Sequence, residues 1–151
     1  MVGSGAGGVA KGRPMGDGRD SVEIRVRYAE TDQMGRAHHS HYLVWFELGR
    51  TAYMRERGVS YAELERDGLL LPVGRAALEY RRGVGFDDPV RVETAVTQVR
   101  SRSIVFGYRL THGDSGEVLA LGSTELFCTN SAGRPMRIPA DLRSALEAAT
   151  A

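Results

Sequence analysis

Within the 151-residue chain, the segment 41–57 constrains the fold more than any other. Tyr42, Trp45, Phe46, Gly49, Ala52 and Tyr53 recur there at three- and four-residue spacing, the period of a helix with one wide apolar face. Gly49 lies in the middle of that face. Glycine costs about 1 kcal/mol against alanine inside a helix, so the pattern predicts that another element comes very close at this point. A sheet wrapped over the helix would do so. Ser40 stands where it can cap the first turn, and Gly58 follows the last one.

On both sides of the helix the period changes to two. Val22, Ile24, Val26 and Tyr28 alternate with Glu23, Arg25 and Arg27, which predicts a half-buried first strand. After a short polar helix or turn around Tyr61 to Asp67, four more strands are predicted, at about 69–82, 89–99, 102–112 and 117–129. Val90, Val92, Thr94 and Val96 share one face of the second of these, and Ile104, Phe106, Tyr108 and Leu110 one face of the third. The short link from His112 to Gly116 implies antiparallel hairpins. Leu142, Leu146 and Ala149 sit at helical spacing in Pro139 to Ala149 and predict a peripheral C-terminal helix. The order is one strand, one long helix and four antiparallel strands. It specifies an α+β domain whose five-stranded antiparallel sheet buries a long central helix.

The domain is expected over residues 21–151, with residues 1–20 as a flexible glycine-rich tail. The tail contains Gly3-x-Gly5-x-x-Gly8, but no strand precedes it and no helix follows, so nothing would aim backbone amides at a pyrophosphate. The string is rejected as a dinucleotide site.

Charge and cysteine usage exclude several function classes. Twenty basic residues stand against 19 acidic ones, a net charge of +1, so no overall field draws the molecule to nucleic acid or to an anionic membrane. The single cysteine, Cys128, cannot form an intrachain disulfide and points to a reducing, cytoplasmic setting. No stretch approaches the roughly 18 apolar residues of a membrane span, and no signal peptide is recognisable.

The segment from Glu30 to Tyr42 joins the first strand to the helix and holds two carboxylates and three of the four histidines. Four readings of it compete. Thr31, Asp32 and Gly35 can simply form a polar turn. His38 and His41, with His39 or Asp32, can be read as metal ligands, although the spacing matches no strong motif. A nucleophile–histidine pair needs a serine or cysteine, but Gly113-Asp114-Ser115-Gly116 reads as a hairpin turn and Cys128 as a buried structural thiol. The fourth reading is acyl transfer to water. Here Asp32 acts as general base or nucleophile, and unsatisfied N–H groups at the helix start polarise a carbonyl. A thioester suits this reading, because its thiolate departs without strong acid assistance and no dedicated general acid is evident.

Over roughly residues 22–140 the chain resembles the 4-hydroxybenzoyl-CoA thioesterase family of hotdog-fold proteins, in the branch of the Tol-Pal-associated acyl-CoA thioesterases. The resemblance rests on Tyr28-x-Glu30-Thr31-Asp32-x-x-Gly35 and on His39-x-x-Tyr42-Leu43-x-x-Phe46-Glu47-x-x-Arg50. It implies a hotdog fold and hydrolysis of acyl-CoA to free acid and CoA, with Asp32 on the catalytic aspartate position and the backbone N–H of His39 as donor to the thioester carbonyl. It further implies that Gly35, Tyr42 and Glu47 border the substrate, and that Arg100 and Arg102 lie near the CoA phosphates. No cofactor is implied beyond the CoA of the substrate, and no metal. A homodimer or a dimer-of-dimers tetramer is implied, with sites at the subunit interface. Two positions depart from the family pattern: Arg36 replaces an apolar residue and His41 an asparagine, and Arg36 is placed to alter which acyl group is accepted. Hydrolysis of carrier-protein thioesters and non-catalytic acyl-CoA binding remain the alternatives.

Overall fold

The computed structural model describes residues 10–14 and 20–150. Its strands are β1 (Ala10–Pro14), β2 (Asp20–Arg25), β3 (Leu69–Leu70), β4 (Val73–Tyr80), β5 (Pro89–Val99), β6 (Ser103–His112), β7 (Val118–Phe127) and β8 (Thr129–Asn130). The helices are α1 (His41–Glu56), α2 (Tyr61–Arg66) and α3 (Ala140–Thr150). Six strands form one antiparallel sheet in the order β1-β2-β5-β6-β7-β4, and β3 pairs with β8 beside it.

The five expected strands and the central helix are all present. One further strand, β1, comes from the segment expected to be a tail, and it pairs along β2 with Ala10 opposite Glu23. The rejected Gly3-x-Gly5-x-x-Gly8 string lies outside the described residues.

Helix α1 buries Tyr42, Trp45, Phe46, Gly49, Arg50, Tyr53 and Met54 against the inner face of the sheet. The close approach anticipated at Gly49 is real. A Cβ there would stand 2.4 Å from Thr94 Oγ1 and 2.7 Å from Val92 Cγ1, both short, branched side chains of β5 that cannot swing away. One turn earlier, the Phe46 ring stacks on Tyr108 of β6 at 4.1 Å. The helix end is tied to β2 by an Arg57–Asp20 ion pair at 2.8 Å, with the Arg57 guanidinium 3.5 Å above the Tyr53 ring. Gly58 adopts φ +76° and donates to the Arg55 carbonyl, ending the helix as expected. Arg50 is a charged residue within an otherwise apolar face. It lies beside the buried phenols of Tyr61 and Tyr108, and burial pushes Tyr61 up to about 12 against the opposing field of Arg50.

Several details differ from the sequence pattern, each for a local reason. The first strand stops at Arg25 and residues Tyr28–Glu30 form a 3-10 turn, because the Glu30 carboxylate accepts the Arg27 N–H at 2.8 Å and pulls the chain off the sheet. Tyr28 is therefore 77% exposed and does not share the buried face of Val22, Ile24 and Val26. Ser40 does not cap α1 with its side chain; its Oγ meets His38 Nδ1 at 2.9 Å. The run 69–82 breaks at Pro72, which has no N–H to donate to a ladder, and the Pro72 carbonyl instead accepts Phe127 N–H. Helix α3 is less peripheral than anticipated. Leu142 and Leu146 are buried, and Arg143 donates to the carbonyls of Val99 and Arg100, pinning the helix to the β5–β6 turn.

Gly49→Ala supplies a sign test of this packing. At an ordinary helix site the change stabilises by up to about 1 kcal/mol. Here overpacking costs about 1–3 kcal/mol, so denaturant unfolding is expected to show net destabilisation.

Candidate active site

The polypeptide between β2 and α1 is built almost entirely of locally satisfied turns. Thr31 Oγ1 donates to the Tyr28 carbonyl at 2.7 Å and ends the 3-10 turn. Asp32 then starts a tight reversal in which its N–H donates to the Arg36 carbonyl at 2.8 Å and Gly35 N–H donates to the Asp32 carbonyl at 3.0 Å. Gly35 takes φ +77°, a region that favours glycine, which explains its place in the turn. The Asp32 carboxylate folds back over this reversal, and its Oδ1 accepts Met34 N–H at 2.9 Å and Arg36 N–H at 3.3 Å. Those bonds fix the orientation of the group. Among the described residues Oδ2 takes no hydrogen bond, so one oxygen of a half-buried, immobilised carboxylate is left for chemistry.

Seven positions on, the His39 peptide is held just as firmly. His38 N–H donates to the Glu30 carbonyl at 2.8 Å and His41 N–H to the His38 carbonyl at 3.0 Å. The His39 carbonyl accepts from Tyr80 Oη at 3.0 Å and from Tyr42 N–H at 3.3 Å. His39 N–H has no acceptor among the described residues. A fixed donor beside the positive end of a 16-residue helix is suited to polarise a carbonyl oxygen.

His39 and Tyr42 open onto a groove of about 300 Å³, bordered also by Ala37, Tyr80, Arg81, Arg82 and Gly83. Its walls are aromatic. The Tyr42 ring meets Tyr80 edge-on at 5.0 Å and tilts against Trp45 at 4.9 Å, while the His39 ring meets Tyr80 edge-on at 6.1 Å. Burial raises the Tyr42 phenol above its ordinary value, Tyr80 adds to that and Arg36 opposes it; burial also raises Tyr80. Both hydroxyls stay neutral at physiological pH and serve as donors, Tyr42 to the Arg82 carbonyl at 3.3 Å. Asp32 does not line the groove; it faces Arg36 next to the Thr31–Ala37 pair, and Ala37 is one of the groove's bordering residues. The Arg36 stem lies along Gly83, and its guanidinium takes no hydrogen bond among the described residues; Arg81 and Arg82 are paired with Glu79 and Glu117.

The other residues singled out from the sequence lie elsewhere in this chain. Glu47 is exposed on α1, close enough to Tyr61 to act on its phenol, and does not line the groove. Arg100 is committed to Glu125 at 2.8 Å and Gln98 at 3.1 Å. The Ser103 hydroxyl, and after it the Arg100 guanidinium, hold the Glu125 carboxyl below its ordinary value. Arg102 is exposed beside it. Both arginines flank the Ser103 end of β6, whereas the groove lies at the end where Leu110 and Tyr80 pair with Ala120. At roughly 3.3 Å per residue the two ends are about 20 Å apart, so one chain does not bring these arginines to the groove.

Two residues of the site had not been assigned a role from sequence. Tyr80 arrives from β4, 41 positions from His39, and nothing local signals that pairing. Glu30 was visible within the motif, but its burial was not.

Comparison with known proteins identifies the family of the chain. Residues 26–146 match the family model of the Thioesterase-like superfamily. YneP of Bacillus subtilis, named as a candidate acyl-CoA thioesterase, is 35% identical over 108 residues, covering 72% of this chain and 78% of its own. The acyl-CoA thioesterase YbgC of Haemophilus influenzae is 30% identical over 127 residues, covering 83% and 92%. The crystal structure of the DHNA-CoA thioesterase of Staphylococcus aureus superposes with a TM-score of 0.82 at 33% identity, covering 86% of this chain and 89% of that one. The helix wrapped by an antiparallel sheet is the hotdog fold, and the chain belongs to the thioesterase-like superfamily as a thioester hydrolase.

Proposed function

We propose that this enzyme hydrolyses acyl-CoA thioesters with Asp32 as its reacting carboxylate and the His39 N–H as the donor to the thioester carbonyl. The observation that carries the reading is the pairing of two unspent groups on one rigid loop: Asp32 Oδ2, and an N–H at the start of α1. With the carbonyl oxygen on the His39 N–H, negative charge developing on it is stabilised in place. Asp32 either takes a proton from water as that water attacks, or attacks the carbonyl itself to form an anhydride that water then opens. In both routes the C–S bond breaks, CoA leaves as a thiolate that is then protonated, and the free acid is released.

Aromatic walls from His39, Tyr42 and Tyr80 support an aromatic acyl group, as does the likeness to an enzyme named for DHNA-CoA. Arg36, reaching past Gly83 beside Tyr42, is placed to modulate that choice. We include two subunits in the proposal. Among the described residues, strand β4 ends the sheet with an unpaired edge, and it is exposed at every position except Leu78, a surface that a second copy would cover. A partner is also what would bring Arg100 and Arg102 within reach of a CoA bound in the groove. Placement in the Tol-Pal-associated branch rests on the spaced motif. A cytoplasmic address is supported by the unpaired, buried thiol of Cys128. Among the described residues, no helix is long and apolar enough to cross a membrane.

Asp32→Asn is expected to keep the fold and cut thiol release from acyl-CoA by about 10²–10⁴-fold, the usual worth of a general base. Undiminished turnover by the purified variant would remove Asp32 from the mechanism. A panel of acyl-CoAs followed by the same thiol assay is expected to rank benzoyl-CoA above octanoyl-CoA, and the reverse ranking would refute the aromatic preference. Tyr80→Phe removes one hydrogen bond to the His39 carbonyl. A loss of about 0.5–1.5 kcal/mol, or roughly 2–13-fold in kcat/KM, is expected with the melting temperature little changed.

A further inference from the structure

We propose that Glu30 is a positioning residue for this hydrolysis: its buried carboxylate clamps the Trp45 indole and so fixes the loop that carries Asp32 and the His39 peptide against helix α1 and the groove beside it. The inference rests on the assignment of those two groups as the reacting pair.

Glu30 is only 3% exposed. A carboxylate withdrawn from water is costly unless its oxygens are satisfied, and here they are. One oxygen accepts Arg27 N–H at 2.8 Å. The other accepts Trp45 Nε1–H at 3.0 Å, with the Arg27 guanidinium at 3.4 Å and His41 Nδ1 at 3.9 Å. The Glu30 backbone carbonyl accepts His38 N–H at 2.8 Å, which orients the peptide immediately before His39. Glu30 therefore holds the chain from three sides. Arg27 anchors it to the end of the first strand, Trp45 anchors it to the second turn of α1, and His38 anchors it to the entry of the helix.

The Glu30–Trp45 bond spans 15 positions, and both Asp32 and His39 lie inside the loop that it closes. Within the loop the Asp32 side and the His39 side are already joined by backbone bonds, Asp32 N–H to the Arg36 carbonyl and His38 N–H to the Glu30 carbonyl, with Thr31 paired to Ala37 between them; the Glu30 side chain is what ties this small ladder to Trp45 of α1. Asp32 follows Glu30 by two residues through a turn whose own bonds are local, from Asp32 to Arg36. His39 precedes Trp45 by six. Releasing the clamp leaves this ladder intact while the loop loosens against α1, so the reacting pair shifts relative to a substrate seated in the groove. Misplacement of a reacting group by about 1 Å can cost 10²-fold in rate, so the effect should appear in kcat and not in the fold. Among the described residues Tyr80, His39 and Tyr42, which border the groove, make no hydrogen bond to Glu30, so substrate affinity should be preserved.

Trp45 is the only tryptophan of the chain, so the clamp can be observed directly. In Glu30→Gln one carboxylate oxygen becomes an NH₂ group, which donates and cannot accept, so the charge and one of the two bonds, to Trp45 or to Arg27, are lost. The variant is expected to lose about 10–100-fold in kcat on benzoyl-CoA with KM within about twofold, and the indole N–H proton resonance is expected to shift. Trp45→Phe keeps an aromatic ring and removes the donor; it should lose kcat in the same range. The double variant should be no slower than the slower single one, since both changes break the same contact. A folded Glu30→Gln protein with wild-type kcat, or losses that multiply in the double variant, would overturn the proposal. If Glu30→Gln does not fold, Trp45→Phe decides alone, and full kcat in that folded variant overturns it equally. The underlying assignment fails separately, through undiminished turnover by Asp32→Asn. An inactive Asp32→Asn beside a fully active Glu30→Gln refutes the clamp only.

Discussion

Helix α1 touches strand β5 at a point where no side chain fits between them. With Gly49 packed against Val92 and Thr94, the axis of the helix is held at a depth in the sheet that alanine would not allow. The rest of the inner face follows from that depth. Phe46 reaches Tyr108 in a flat stack, Tyr53 meets Phe106 edge-on, and Arg57 reaches Asp20 across the helix end. The same constraint fixes where the other end of the helix emerges. Because α1 cannot slide along β5 without moving Gly49 out of register, its first turn is carried to one end of the sheet, beside Tyr80 of β4.

The candidate site exploits that fixed exit. The loop before the helix spends nearly all of its polar groups on itself, and this is what makes the two unspent ones conspicuous. Asp32 gives one oxygen to the turn and keeps the other, while the His39 peptide gives its carbonyl to Tyr80 and Tyr42 and keeps its N–H. Phenols that burial keeps protonated border the groove beside the His39 ring. An arrangement of fixed donors that need no reorganisation as charge develops is the kind that favours a tetrahedral intermediate over its ground state.

Buried charge is distributed unevenly. Glu30 and Arg50 both lie within the region covered by α1, but they are satisfied in different ways. The Glu30 carboxylate accepts three hydrogen bonds, two from Arg27 and one from Trp45, whereas Arg50 faces the phenols of Tyr61 and Tyr108. Glu125 and Glu93 instead pair with Arg100 and Arg109, whose side chains reach solvent, so those pairs resemble surface ion pairs and contribute little to the core. Only Glu30 links elements that carry the proposed reacting groups.

Periodicity alone determined the element order of this protein. Apolar residues at spacing two and at spacing three to four are set by backbone geometry, which is local, and so β2, α1, the four following strands and the close approach at Gly49 were all legible. The turn at Asp32 and Gly35 was equally readable, since a positive φ and an Asx bond involve residues four apart or less. What only the tertiary structure decided were contacts between residues distant in sequence. Tyr80 on His39, Trp45 on Glu30 and Arg50 among tyrosines depend on how the helix sits in the sheet, and single-strand patterning carries no record of that. Arg100 and Arg102 show the converse. Their sequence context resembled a phosphate-binding segment, yet the strand direction puts them at the far end of the sheet, because an antiparallel hairpin sends its turn away from the edge where the neighbouring strand begins.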